Sequence, residues 1–223
     1  MILKIVAIVP AKQFERSKSR LASLLTVAER VKLSELLLYD TLSTLRKAST
    51  ISRIVVVSSD KCAKEIATRM GVLFLQQQTD EGVNSAIALA DDYCLLTGTE
   101  ASIVLPQDLP LLLPQDVDEI CQLAKTSEKF MVICPSIRYD GSNALLRKPP
   151  ILFSTKYDND SYNMHRKEAL SVGAHVRVIL LERIMKDLDT ADDALSLVGE
   201  PGKGGALRYL KQKLQSKKQV IQD

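Results

Sequence analysis

Three separated segments carry side chains whose types and spacing suit one chemistry. PAKQFERSKSRL (10–21) sets Lys12, Arg16, Lys18 and Arg20 against a single acid, Glu15. LPQDLPLL (105–112) presents Asp108, and DLDTADDALSL (187–197) presents Asp187 and Asp189. Lysine supplies point charges and arginine a bidentate fork, both suited to phosphate oxygens. Carboxylates in stiff turns are hard oxygen ligands of the kind magnesium takes, with water and phosphates completing its shell. Together they point to nucleotide chemistry. Taken singly, each segment has a plainer reading: a solvated basic loop, a carboxylate bonded within the turn between Pro106 and Pro110, and loop aspartates in water. Asp187 and Asp189 are two apart, so on an extended backbone they face one side and can share a cation. Thr190 and Asp193 form a capping pair for the helix that follows. The first segment has no glycine, so it is not a G-x-x-x-x-G-K-[ST] phosphate loop.

Further polar residues lie between these segments. Gly82, Asn84 and Ser85 occupy a loop-to-helix junction, where contact with a nucleotide base or ribose and simple capping both account for them. Gly141, Ser142 and Asn143 form a polar turn. Ser161 begins a predicted helix and His165 follows one turn later, so helix N-terminus, hydroxyl and imidazole could receive an anion together. His175 falls in a predicted strand and reads as structural. There is no G-x-S-x-G elbow and no Cys/His constellation, so covalent nucleophilic catalysis has no support.

The elements that must position these residues follow from hydrophobic pattern. ILKIVAIVPA reads as a buried strand, broken as an export signal by Lys4 and Pro10. Thr26 with Glu29 makes a capping box for a helix to about Lys47. Ile54–Val57, Val72–Leu75, Ser102–Leu105, Met131–Cys134, Asn143–Arg147 and His175–Leu181 read as strands. Helices are expected from Asp60 to Met70, Val83 to Leu96, Gln115 to Ala124 and Ser161 to Val172. Such alternation predicts a mainly parallel sheet covered on both faces, with one return strand antiparallel. In open α/β sheets, ligands collect beyond the carboxyl ends of the strands, which is where the charged segments fall. GEPGKGG (199–205) reads as a linker, so residues 1–198 form a domain and 199–223 comprise the linker and a basic C-terminal helix. Leu207, Leu210 and Leu214 stripe that helix, for core packing or for a homodimer contact.

Composition narrows the class. A chain of 223 residues, 46% hydrophobic, can bury a substantial core as one domain. Net charge of +3, 4% aromatics and no Trp argue against nucleic acid as a partner. No run approaches the roughly 20 apolar residues of a membrane helix. Cys62, Cys94, Cys121 and Cys134 are scattered, as reduced thiols of a cytoplasmic protein would be.

In their order, PAKQFERSKSRL, EGVNSAIALA, LPQDLPLL, GSNALLRKPP, SYNMH and DLDTADDALSL resemble the 2-phospho-L-lactate guanylyltransferase family of coenzyme F-420 biosynthesis. The resemblance runs from about Ile5 to Leu197. It implies a three-layer α/β/α, Rossmann-like nucleotidyltransferase of the glycosyltransferase-A type. It also implies transfer of GMP from GTP to 2-phospho-L-lactate, giving lactyl-2-diphospho-5′-guanosine and pyrophosphate; relatives use phosphoenolpyruvate or 3-phosphoglycerate. Lys12, Lys18 and Arg20 would hold the triphosphate, with Gly82 and Asn84 near the nucleotide. Asp108, Asp187 and Asp189 would ligate Mg2+, and Ser142, Asn143, Ser161 and His165 would hold the phosphorylated 2-hydroxy acid. 2-Phospho-L-lactate is expected to exceed phosphoenolpyruvate as substrate. Two stretches depart from the family pattern: YDNDS (157–161) carries Asp158 and Asp160 where glycines are usual, and Ala191 stands where proline commonly follows DT. Asp tolerates left-handed backbone better than most residues, so the turn at Asp160 is expected to survive.

Overall fold

The chain begins β1 (Ile5–Pro10), α1 (Val27–Leu45), β2 (Ile51–Ser58), α2 (Lys61–Arg69), β3 (Leu73–Gln76), α3 (Val83–Leu96) and β4 (Ala101–Val104). It continues α4 (Pro114–Leu123), β5 (Phe130–Pro135), β6 (Ser142–Lys148), α5 (Ser161–Ser171), β7 (His175–Val178), α6 (Glu182–Met185), α7 (Ala191–Val198) and α8 (Gly205–Gln222). The structure, a computed structural model, describes residues 3–124, 127–202 and 204–222, with side chains through 217. Ile2, the start of the first expected strand, and Lys203 within the expected linker lie outside the described residues.

The seven strands form one sheet in the order β3-β2-β1-β4-β6-β5-β7. β6 alone runs antiparallel to its neighbours β4 and β5, while the other pairings are parallel. Helices cover both faces, which is why β1, β4 and β5 are buried along their whole lengths instead of alternating. Leu38, Leu42, Ile66, Val117 and Ile120 pack on one face from α1, α2 and α4. Ile87, Ala90, Tyr162 and Ala169 pack on the other from α3 and α5. This is the mainly parallel three-layer sandwich that the alternation predicts.

Local signals account for most boundaries. The Thr26–Glu29 and Thr190–Asp193 capping boxes form, and Asp60 caps α2 through Ala63 N at 3.0 Å. Asp160 precedes α5 with φ 50°, so an aspartate does hold the left-handed turn. Three features differ from the expected pattern. β2 starts at Ile51, and the last strand ends at Val178 instead of Leu181. A short helix, α6, follows and buries Ile184 and Met185 against the core. The C-terminal stripe is used inside the chain: Leu207, Leu210 and Leu214 pack with Leu33 and Leu37 of α1 and Leu197 of α7. Among the described residues, no helix is long and apolar enough to cross a membrane.

Candidate active site

The carboxyl ends of β1 and β4 converge on one edge of the sheet. Because β6 is reversed, its first residues, Ser142 and Asn143, arrive at that same edge. A cavity of about 420 Å³ opens there, within the range of small-ligand sites. Its walls come from the 10–20 loop, the 106–108 turn, the start of β6, the start of α5, and Asp187 and Asp189.

The basic loop is held by what it buries rather than by glycines. Phe14 and Leu21 sit in the core, and Phe14 N donates to Asp60 Oδ2 at 2.9 Å. Ser17 Oγ and Ser34 Oγ are 3.0 Å apart, tying the loop to α1. Lys18 then adopts left-handed geometry (φ 54°), a conformation that costs about 1–2 kcal/mol for a side chain of this kind. That geometry accompanies a turned-in ammonium: Lys18 Nζ lies 2.6 Å from Asp108 Oδ2 and 2.9 Å from Asp189 Oδ1, with its side chain 5% exposed. Lys12, Arg16 and Arg20 stay exposed along the rim.

The acidic side is built from two segments that brace each other. Thr41 Oγ1 donates to Gln107 O at 3.1 Å, and Leu188 N donates to Asp108 O at 3.0 Å. Leu188 is fully buried, so the alternation Asp-Leu-Asp turns both carboxylates to the cavity. Burial works to lower the Lys18 pKa, but Asp108 and Asp189 outweigh it and hold the ammonium above its ordinary value. Burial likewise opposes ionisation of Asp189, yet Lys18, then Arg20 and Lys12, keep it below the usual carboxylate range. Asp187 has no such partner. Burial, then the charges of Asp108 and Asp189, push it up to about 6, and its buried Oδ1 has no hydrogen-bond partner.

The opposite wall is neutral. Ser161 Oγ donates to Ser142 Oγ at 3.2 Å, and Ser142 Oγ lies 2.9 Å from His165 Nδ1. Asn143 Nδ2 donates to Ile184 O at 2.9 Å and Met185 O at 3.3 Å, anchoring α6 just before Asp187.

The fold therefore brings Lys12, Lys18, Arg20, Asp108, Ser142, Asn143, Ser161, Asp187 and Asp189 to one cavity. Three residues singled out for ligand contact lie off its lining. Gly82 precedes α3 in extended, positive-φ backbone, and Asn84 braces the 157–158 segment, accepting from Tyr157 N at 2.9 Å and donating to Asp158 Oδ2 at 3.1 Å. His165 is fully buried behind Ser142 with both ring nitrogens bonded, so it does not reach an anion in the cavity. Gln107 and Tyr157 join the lining unannounced. Gln107 sits one residue before the recognised Asp108, but Tyr157 carries no signal in sequence because a loop brings it in.

A divalent cation fits this chemistry. No three Asp, Glu, His or Cys side chains among the described residues converge closely enough to cage an ion alone. Magnesium does not require that, since one or two carboxylates suffice when phosphates and waters supply the rest. The orphaned Asp187 Oδ1 is the oxygen such an ion would engage.

The family model described as guanylyl transferase CofC like matches residues 5–218. The phosphoenolpyruvate guanylyltransferase of Conexibacter woesei is 31% identical over 202 residues, covering 90% of this chain and 91% of that protein. That of Roseiflexus castenholzii is 33% identical over 221 residues, covering 96% and 98%. The 2-phospho-L-lactate guanylyltransferase of Methanothermobacter thermautotrophicus is 29% identical over 191 residues, covering 86% and 82%. Among solved structures, a nucleotide-diphospho-sugar transferase type protein from Desulfovibrio desulfuricans G20 superposes with TM-score 0.77 at 12% identity, covering 97% and 98%. A nucleotidyl transferase from Methanothermobacter thermautotrophicus does so with TM-score 0.64 at 15% identity, covering 87% and 95%. These last two speak for the fold alone.

Proposed function

We propose a specific reaction from the premise that the chain belongs to the family of CofC-like guanylyl transferases: transfer of GMP from GTP to the phosphate of a three-carbon 2-phosphorylated acid. Phosphoenolpyruvate is placed ahead of 2-phospho-L-lactate as acceptor, reversing the order expected from the motifs. Relatives named for phosphoenolpyruvate match at 28–33%, and those named for 2-phospho-L-lactate at 26–29%. Either product would serve coenzyme F-420 biosynthesis.

The observation that carries the reading is the Lys18 ammonium held between Asp108 and Asp189 in one wall of a cavity whose far wall is neutral and rich in hydroxyls. Four cations (Lys12, Arg16, Lys18, Arg20) face three carboxylates there. That near balance cannot offset a triphosphate and a phosphorylated acid, so a divalent cation is part of the proposal. Asp187, with Asp108 and Asp189, would hold it. Magnesium there would neutralise phosphate charge and act as a Lewis acid on phosphoryl oxygen.

The protein's own part is positioning and charge. Lys12, Arg16 and Arg20 bind triphosphate oxygens along the rim. The acid's phosphate, seated against Ser142 and Ser161, supplies an oxygen to the α-phosphorus of GTP. A new P–O–P link forms, the bond to the β-phosphate breaks, and pyrophosphate leaves. The attacking phosphate is ionised at neutral pH, so no protein base is required; among the described residues no histidine lines the cavity. Lys18 stays charged throughout, and the loop cations stabilise charge on the departing pyrophosphate.

The test is a matrix of nucleoside triphosphates against phosphoenolpyruvate, 2-phospho-L-lactate and 3-phosphoglycerate with magnesium, scored by pyrophosphate release and product mass. GTP with one of the 2-phosphorylated acids is expected to dominate. Equal turnover with all nucleotides, or none with any acid, overturns the proposal.

A further inference from the structure

Ser142 Oγ receives two hydrogen bonds, and the direction of one is fixed from outside. The N–H of Lys156 meets His165 Nε2 at 2.8 Å, and a backbone N–H can only donate, so Nε2 bears the lone pair. The proton of a neutral ring then sits on Nδ1, which is 2.9 Å from Ser142 Oγ and donates to it. Ser161 Oγ donates to the same oxygen at 3.2 Å. Both lone pairs of Ser142 are thereby engaged. Its own O–H is left as the one group with freedom to meet a ligand, and Ser142 lines the cavity.

Nothing about the ring permits another arrangement cheaply. His165 is fully buried, with Tyr157 edge-on at 4.7 Å and Phe153 at 5.9 Å between ring centroids. Turning the imidazole over would set carbon against both Ser142 Oγ and the Lys156 N–H, leaving a buried donor unpaired. Burial, then the Arg147 charge, lowers its pKa to about 3, so the ring is neutral under ordinary conditions.

We infer that His165 is a positioning residue that fixes the Ser142 hydroxyl as a hydrogen-bond donor aimed into the cavity, selecting an anionic, acceptor-only oxygen of the phosphorylated acid. A hydroxyl free to rotate accepts or donates with equal ease; one with both lone pairs engaged offers only its proton. Neutral ligands presenting an N–H or O–H at that spot are rejected. No reorganisation is needed when the anion arrives. Ser161, by contrast, spends its proton on Ser142 and meets the ligand only as an acceptor or through its helix amide. The identity of the ligand rests on the reaction proposed above; the direction of the hydrogen bonds does not.

Two substitutions separate the inference from simple packing. H165N keeps an N–H near the Nδ1 position and loses the acceptor for Lys156, whereas H165Q keeps an acceptor near Nε2 and loses the donor to Ser142. Kinetics with GTP and phosphoenolpyruvate should show the acid KM rising roughly 5- to 20-fold in H165Q, against less than about 2-fold for the GTP KM. H165N should stay within about 3-fold of the parent for the acid. Equal losses in both variants, or equal movement of both substrates, overturn the inference. Should either variant fail to fold in a thermal melt, long-range 15N–1H correlation of the unsubstituted protein decides instead. Nδ1 protonated and Nε2 bare near neutral pH supports the inference, and an Nε2-protonated or charged ring overturns it. Absence of turnover with every acid would overturn the proposed reaction while leaving the tautomer measurement to judge His165.

Discussion

The two walls of the cavity are built on opposite principles. The wall of Lys18, Asp108, Asp187 and Asp189 is charged and under-satisfied: one ammonium is shared by two carboxylates, and a third carboxylate has a buried oxygen with no hydrogen-bond partner. The wall of Ser142, Ser161 and His165 is neutral and closed, each donor having a defined acceptor apart from the one hydroxyl facing the cavity. Under the proposed reaction, charge that must meet a triphosphate and a cation is best left incomplete, because the ligand supplies the missing partner. A wall that discriminates one small acid gains more from hydrogen bonds set before the ligand arrives.

The largest expected effect lies on the charged wall. Asp108→Asn keeps the shape of the turn but removes charge at the proposed cation site and half of the Lys18 bridge. Turnover should fall on the order of 100- to 1,000-fold, about 3–4 kcal/mol, with little change in melting temperature. Near-normal turnover at saturating magnesium would remove Asp108 from that role. Combined with Asp189→Asn the losses should not add, since both carboxylates share Lys18.

Asn143 tests whether the walls are separable. It sits on the neutral side, yet its amide anchors Ile184 and Met185 ahead of Asp187. Asn143→Ala should cost about 1–3 kcal/mol in urea unfolding through the two abandoned carbonyls. It should also raise the magnesium requirement more than the acid KM. A change confined to the acid KM would return Asn143 to the role of a direct acid contact.

The walls should answer acid with opposite signs. Asp187, pushed up to about 6, holds its proton more tightly folded than unfolded, so its contribution is present at low pH and lost as pH rises through about 6. Without divalent metal, Asp187→Asn should therefore gain on the order of 1–2 kcal/mol over the parent at pH 7.5, roughly half of that at pH 5 and little near pH 3, even as activity drops. His165, lowered to about 3, contributes stability above the ordinary histidine range that is lost as pH falls toward that value. A parent-minus-variant difference for Asp187→Asn that is flat with pH would contradict a strained, unpaired carboxylate.

The smallest expected effect is that of Ser161→Ala. Its proton goes to Ser142 and not to the ligand, so the acid KM should rise only about 5-fold, near 1 kcal/mol, with the GTP KM unchanged. A loss as large as that of Asp108→Asn would mean that Ser161 itself grips the anion.

The sheet, its helices and their caps were legible in the sequence because they are set by local pattern. Strands buried on both faces read as β-branched runs, and Thr26–Glu29, Asp60 and Thr190–Asp193 announce helix starts within four residues. The alternation Asp187-Leu188-Asp189 likewise foretold two carboxylates on one side, since period two is a property of extended backbone. The tertiary structure alone decided who meets whom. That Lys18 turns inward to join Asp108, 90 positions away, and Asp189, 171 positions away, depends on loops anchored by Phe14, Leu21 and Leu188. That Ser142 reaches the same edge as Asp108 depends on β6 running backwards between two parallel strands, a pairing that local hydrophobicity does not encode. The role of His165 was hidden for the same reason. Helical spacing put it beside Ser161, but only the Lys156 N–H, brought in by the loop ahead of α5, says which of its nitrogens bears the proton.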